Sequence, residues 1–208
     1  MSSLIICFGD SLTAGFQSPT RENPEGQSTP YGDWLQELLG PAVQVKTTGI
    51  CGELTGEMVL RFRRDVLDHR PRYVTILGGT NDLGWNAQPR EIMRNLLKMY
   101  ELTLAGGGIP IPVTVPSLRA EEGQANAEGQ GWIADHVARR RLLNGLIRDY
   151  ATSKAIAYVD LFRATAEPET YQLVAMYSND GVHLTTAGYR KMAEEVARVV
   201  MPRLTSKR

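Results

Sequence analysis

The sequence predicts an α/β fold, a five-stranded parallel sheet with helices on both faces. Two observations carry this. Short apolar runs alternate with helical periodicities from one end of the chain to the other, which implies a parallel sheet covered on both faces. Five apolar runs read as strands, the first at Leu4 to Phe8 and the fifth at Ile156 to Asp160. All 208 residues, 1–208, read as a single domain with no internal repeat or linker. A globule of this size buries roughly 70% of the surface its unfolded chain exposes and needs no staples.

The elements follow in order. Leu4 to Phe8 reads as a buried strand, Tyr31 to Leu39 as a short helix and Val43 to Val45 as a second strand. Met58, Val59, Phe62 and Val66 recur at helical spacing, and Tyr73 to Leu77 is a third strand. Ile92, Met93, Leu96, Leu97 and Tyr100 mark one face of the next helix, with Pro89 near its first turn. A fourth strand falls within Ile109 to Val115. Pro110 and Pro112 each remove a ladder donor, so only its second half is expected to pair.

A long helix follows, with Ile133, Val137, Leu142, Leu146, Ile147 and Tyr150 inward, and Ile156 to Asp160 is a short fifth strand. The last helix runs from about Thr186 to Val200, with a Thr available as its cap. Gln17 to Pro30 and Ser117 to Gly131 stand outside the pattern as long polar loops. Loops of that length cover a site or lack order.

Composition narrows the function classes. Lys plus Arg and Asp plus Glu number 23 each, for a formal net charge of zero, which argues against a nucleic-acid binder. Arg139-Arg140-Arg141 lies in an amphipathic helical pattern and reads as a solvated face. The five apolar residues Leu4 to Phe8 are too few for a signal-peptide core, and no run approaches a membrane span. Cys7 and Cys51 have no zinc or redox spacing and read as free thiols, so a cytoplasmic location is expected. No metal, cofactor, nucleic acid or integral membrane contact is expected, and self-association is left open.

In a parallel sheet, ligands bind beyond the carboxyl ends of the strands. The first strand is followed by Gly9-Asp10-Ser11-Leu12, the second by Gly49-Ile50-Cys51-Gly52, and the third by Gly78-Gly79-Thr80-Asn81-Asp82. Beyond the fifth comes Asp180-Gly181-Val182-His183. Each group supplies a part that acyl transfer needs. A serine hydroxyl needs a base, and a histidine near neutral pKa suits that task. The histidine needs an acceptor on its other ring nitrogen, which Asp180 can be. The oxyanion needs donors fixed in advance. Ser11 N–H, Gly52 N–H and the Asn81 side-chain amide are the candidates.

Together these blocks, Phe8-Gly9-Asp10-Ser11-Leu12, Gly49-Ile50-Cys51-Gly52-Glu53, Gly79-Thr80-Asn81-Asp82 and Asp180-Gly181-Val182-His183, resemble the SGNH hydrolase superfamily, the GDSL-type esterases and lipases. The resemblance spans residues 8 to 183. It implies a three-layer α/β/α sandwich on a flavodoxin-like five-stranded parallel sheet, Ser11 as nucleophile, Gly52 and Asn81 in the oxyanion hole, and His183 with Asp180 as the remaining pair. Two positions depart from the family pattern. Thr47 stands where Asn is common, and Cys51 where Ser is frequent.

Other residues read differently. His69 looks like a helix-end cation and His136 lies on a polar helix face. Asp10 and Asp82 read as loop-holding groups, because a carboxylate beside the oxyanion would repel it. Trp85, Met176 and Tyr177 are candidates to line a substrate pocket, and Trp132 is as readily core. The reaction expected is hydrolysis of a small-molecule ester, short-acyl or aryl, with acyl-thioesterase, lysophospholipase or carbohydrate acetyl esterase activity as the alternative at the same site. A non-catalytic binding protein and a metal-dependent phosphatase attacking through Asp10 are the remaining readings.

Overall fold

The computed structural model describes residues 3–120 and 127–205 of the chain. Part of the Ser117 to Gly131 loop, residues 121–126, therefore lies outside the described residues. Along the chain, β1 (Ser3–Gly9) leads through α1 (Ser11–Ala14) into a small hairpin of β2 (Phe16–Gln17) and β3 (Gln27–Ser28). Next come α2 (Tyr31–Leu39), β4 (Val43–Gly49), α3 (Thr55–Asp65) and a 3-10 turn at Leu67–His69. β5 (Tyr73–Leu77), α4 (Thr80–Gly84), α5 (Pro89–Ala105) and β6 (Ile109–Pro112) follow. The chain closes with α6 (Ala127–Ser153), α7 (Leu161–Thr165), a 3-10 turn at Ala175–Tyr177 and α8 (Thr186–Thr205).

Among the described residues the main sheet has four parallel strands in the order β4-β1-β5-β6. Every residue from Ile5 to Gly9 is buried, as is all of β5, as strands covered on both faces must be. Successive side chains point to opposite faces. Cys7 accordingly lies against Tyr31 of α2, whereas Phe8 meets the Phe62 ring of α3 edge-on at 5.0 Å. On the α2 side α2 packs against α8, and on the α3 side α3 packs against α5 and α5 against α6. Gly9 is level with Gly49 on one side and Leu77 on the other, so the loops after three strands start at one height. That alignment positions the site.

Three expectations need correction. The sheet was expected to have a fifth strand at Ile156 to Asp160, and only Val159 pairs there, in a single parallel bridge with Val113. The second half of Ile109 to Val115 was expected to form the fourth strand, and the first half does so. Alternate N–H groups of a strand point to opposite edges. Ile109 donates to the Arg72 carbonyl at 2.9 Å and Val113 to that of Ile76 at 3.1 Å, which puts Pro110 and Pro112 at the positions facing the outer edge. Prolines are tolerated where the neighbour needs no donor. That same edge offers few donors to a fifth strand, and Val159 makes two bonds there, from its N–H to Pro112 and to its carbonyl from Thr114.

The third correction concerns α6. Leu142 is 62% exposed, and Leu143 takes the inward position. The buried stripe includes His136, Arg140 and Asn144, so the Arg139–Arg141 run is not a wholly solvated face, nor His136 a polar-face residue. Ile133, Val137 and Ile147 are buried and Leu146 and Tyr150 pack on the core as expected, so a purely apolar reading of the periodicity misplaced Leu142 and missed the polar members of the stripe. Elsewhere the large apolar side chains form one extended core, with a smaller cluster of Leu118, Ile133, Val137 and Phe162 beneath the first half of α6. Among the described residues, no helix is long and apolar enough to cross a membrane.

Candidate active site

β1 ends in a tight turn that Asp10 holds. Its carboxylate accepts the Leu12 N–H at 3.0 Å, and its carbonyl accepts those of Thr13 and Ala14, both at 3.0 Å. Ser11 thereby becomes the first residue of α1, where its N–H has no intrahelical acceptor. Asp10 is fully buried, and its second carboxylate oxygen has no partner among the described residues. Burial pushes its pKa up to about 7, although the Leu12 N–H and nearby His183 pull it down.

The loop before α8 carries the other two groups. Asp180 Oδ1 accepts the backbone N–H of Val182 at 2.9 Å and of His183 at 2.7 Å, which folds the loop so that the two side chains face each other. His183 Nδ1 donates to Asp180 Oδ2 at 2.6 Å, and this fixes the tautomer with Nε2 as acceptor. The Ser11 hydroxyl donates to that Nε2 at 3.1 Å. Burial pushes the Asp180 carboxyl up, but hydrogen bonds from His183, Ser18 and the two backbone N–H groups outweigh it. They hold the carboxyl well below the usual carboxylate range. A hydroxyl, an imidazole and an ionised carboxylate in one hydrogen-bonded chain can carry a proton away from the serine oxygen.

Two further loops flank this chain. Gly52, in the loop after β4, has φ 77, a conformation that excludes most side chains. After β5, Gly79 has φ 116, and a Cβ there would lie 2.9 Å from Ile92 and 3.0 Å from Leu143, so only glycine fits. The turn it makes starts α4 and presents Asn81, whose Nδ2 donates to the Glu53 carbonyl at 2.9 Å. One amide hydrogen is thus used to join the second and third loops, and the other is left to donate. Asp82 accepts the Thr55 N–H at 3.0 Å and its hydroxyl at 2.6 Å, tying α4 to the start of α3. Under the site, Arg61 donates to both Glu53 carboxylate oxygens, to Gly9 O at 2.9 Å and to Thr48 O at 3.1 Å.

Residues 7–191 match the model of the GDSL-like lipase/acylhydrolase family. The chain belongs to that family. A curated relative, the uncharacterized lipoprotein YqeF of Bacillus subtilis (strain 168), is 36% identical over 116 residues, 53% of this chain and 47% of the relative. An arylesterase of Vibrio mimicus is 30% identical over 120 residues, 55% of this chain and 56% of the relative. The matches thus span about half the length of these curated relatives. Among solved structures, a carbohydrate acetylesterase from Sinorhizobium meliloti superposes with a TM-score of 0.76 at 21% identity, over 97% of this chain and 100% of that one.

Within this GDSL-family fold, Ser11, Asp180 and His183 come together, and Gly52 and Asn81 sit on the neighbouring strand-end loops. Trp85 lines a cleft of about 310 Å³ that also touches Asn81 and Val182. Met176 and Tyr177 are not among the residues that line it. Met176 points to solvent and Tyr177 packs against the main core. His69 is at the surface, where Lys46 donates to it at 2.8 Å. Cys7 and Cys51 are both free, the first buried and the second exposed.

Several site neighbours carried no sequence signal. The β2–β3 hairpin folds the Gln17 to Pro30 segment back onto the site, so that the Phe16 ring packs edge-on against His183 at 4.7 Å and Ser18 donates to Asp180. Neither residue belongs to a motif, and both contacts join residues more than 160 positions apart in the sequence. Arg61 was one of several charged residues on a helix. Only the distance geometry marks it.

Proposed function

We propose that the protein hydrolyses carboxylic esters through a covalent acyl-enzyme on Ser11. The observation that carries this reading is the hydrogen-bonded chain Ser11–His183–Asp180, at 3.1 and 2.6 Å. Ser11 Oγ attacks the ester carbonyl carbon while its proton passes to His183 Nε2. The oxyanion that forms is held by the N–H groups of Ser11 and Gly52 and by the Asn81 amide. His183 then returns the proton to the departing alcohol oxygen. Water enters, gives a proton to Nε2 and attacks the acyl carbon, and the acid leaves as Ser11 recovers its hydrogen. Asp180, kept ionised, stabilises the imidazolium in both halves.

The substrate reading is a small ester with a short acyl or an aryl group, in keeping with the arylesterase relative. Carbohydrate acetyl ester hydrolysis is the alternative that the Sinorhizobium structure suggests. Attack by Asp10 on a phosphate ester is disfavoured, because the carboxylate is fully buried and one oxygen is committed to the α1 turn. The test is steady-state hydrolysis of 4-nitrophenyl acetate. Wild type turns it over, Ser11→Ala falls to background, and Asn81→Ala loses roughly 100- to 1000-fold in kcat. Undiminished turnover in Ser11→Ala overturns the proposal.

A further inference from the structure

The inward face of α6 holds two polar groups that this reaction does not use and that have unpartnered atoms among the described residues. Arg140 and His136 are each only 3% exposed. Asn144, one turn on, is fully matched, since its amide pairs with the N–H and carbonyl of Val115, both at 2.8 Å. Arg139 is also engaged, donating to Asn86 Oδ1 at 2.6 Å and to the Ala87 carbonyl at 2.8 Å. Arg140 differs. Among the described residues, neither its Nε nor its Nη1 has a hydrogen-bond partner, and His136 Nδ1 lacks one as well. Buried arginines are nearly always paired, because an uncompensated buried cation strongly destabilises a fold.

The guanidinium lines the 310 Å³ cleft beside Asn81, and among the described residues none that lines this cleft is acidic. One part of an ester whose carbonyl oxygen reached Asn81 would extend into this space. Two tryptophans stand among its other walls, with Leu118 and Val182. Trp132 packs on the His136 ring with centroids 4.0 Å apart, and Trp85 stands at the rim. Burial, and then the charge of Arg139, lowers Arg140 to about 10, so it stays a cation at neutral pH. Burial and the same two arginines hold His136 below its usual value, which leaves it neutral there.

We infer that Arg140, with His136 beside it, forms an anion-binding subsite of the cleft, and that the esters hydrolysed best carry a carboxylate on the part lying between Trp85 and Trp132. The inference rests on the ester reading above and adds the chemical class of the ester. A buried guanidinium awaiting an anion accounts for its unpartnered Nε and Nη1, for a cleft lining that holds no acid among the described residues and for its position beside Asn81.

Two matched pairs of esters test it. One pair carries the charge on the acyl side, 4-nitrophenyl hemiglutarate against its methyl ester. The other carries it on the alcohol side, 4-carboxyphenyl acetate against its methyl ester. The readout is the ratio of kcat/KM within a pair, so a general loss of activity in a variant cancels. Wild type should favour the carboxylate in at least one pair by about 10- to 100-fold, the contribution of one charge-assisted hydrogen bond. Arg140→Met should reduce that ratio to about 3 or less. Equal rates within both pairs for wild type, or a preference that Arg140→Met retains, overturns the subsite.

Arg140→Met removes an unpaired charge while keeping the apolar stem, so its Tm should match or exceed that of wild type. A fall of more than about 10 °C marks Arg140 as a structural residue and also overturns the proposal. If no neutral or charged ester is cleaved, the ester reading fails. The subsite is then decided by titrating glutarate against tryptophan fluorescence. Saturable quenching that Arg140→Met abolishes supports it, and none in wild type overturns it.

Discussion

Asp10 and Asp180 are two carboxylates near one histidine, and their surroundings push them in opposite directions. Asp180 receives hydrogen bonds from His183, Ser18 and two backbone N–H groups and stays ionised into strong acid. Asp10 is sealed beneath Ser11 with one oxygen unpartnered, and burial raises it from 3.8 to about 7. The native protein therefore binds a proton on Asp10 that the unfolded chain releases between these two values. Where the native state holds more protons, stability falls as pH rises. Urea denaturation at steps from pH 4 to pH 7 should show this term in wild type and lack it in Asp10→Asn, so that wild type weakens relative to the variant over that interval. Parallel curves would contradict the burial argument. The same residue shows what a motif can tell. Adjacency to Ser11 makes Asp10 look catalytic in the sequence, whereas its chemistry marks it as the cap of a turn.

At the scale of elements, one side chain ties the end of β1 to the end of β4 and the loop after it. Arg61 of α3 holds Glu53 and the carbonyls of Gly9 and Thr48, with both members of the ion pair more than nine-tenths buried. Arg61→Met leaves the Glu53 charge without its partner and should destabilise the protein by about 3–5 kcal/mol in denaturant unfolding. Pairing it with Glu53→Leu should recover most of that loss. A single-variant loss under about 1 kcal/mol would remove Arg61 from this role. Elements buried on both faces were legible from sequence, because a run such as Leu4 to Phe8 or Tyr73 to Leu77 has few other readings. Elements set by edges and by polar burial were not. Composition could not say to which edge Pro110 and Pro112 would turn, and apolar periodicity alone could not find a helix stripe containing His136, Arg140 and Asn144.

For the whole molecule, what matters is that the ends of β4, β1 and β5 are level. Counting only sheet strands along the chain, their order with β6 is 2-1-3-4, and β1 lies at the switch point where ligands gather in such sheets. Ser11, Gly52, Asn81, Asp180 and His183 could be read from sequence because each follows a strand or precedes the last helix within a short motif. Phe16, Ser18, Arg61 and Arg140 could not, since what places them is contact between segments distant in the chain. The central claim is that Ser11 is the nucleophile, and intact-mass measurement after treatment with an organophosphonate tests it most directly. Wild type should gain the mass of one adduct, mapped to Ser11, His183→Ala should label far more slowly, and Ser11→Ala should not label. A Ser11→Ala protein that still takes up the adduct would contradict the account.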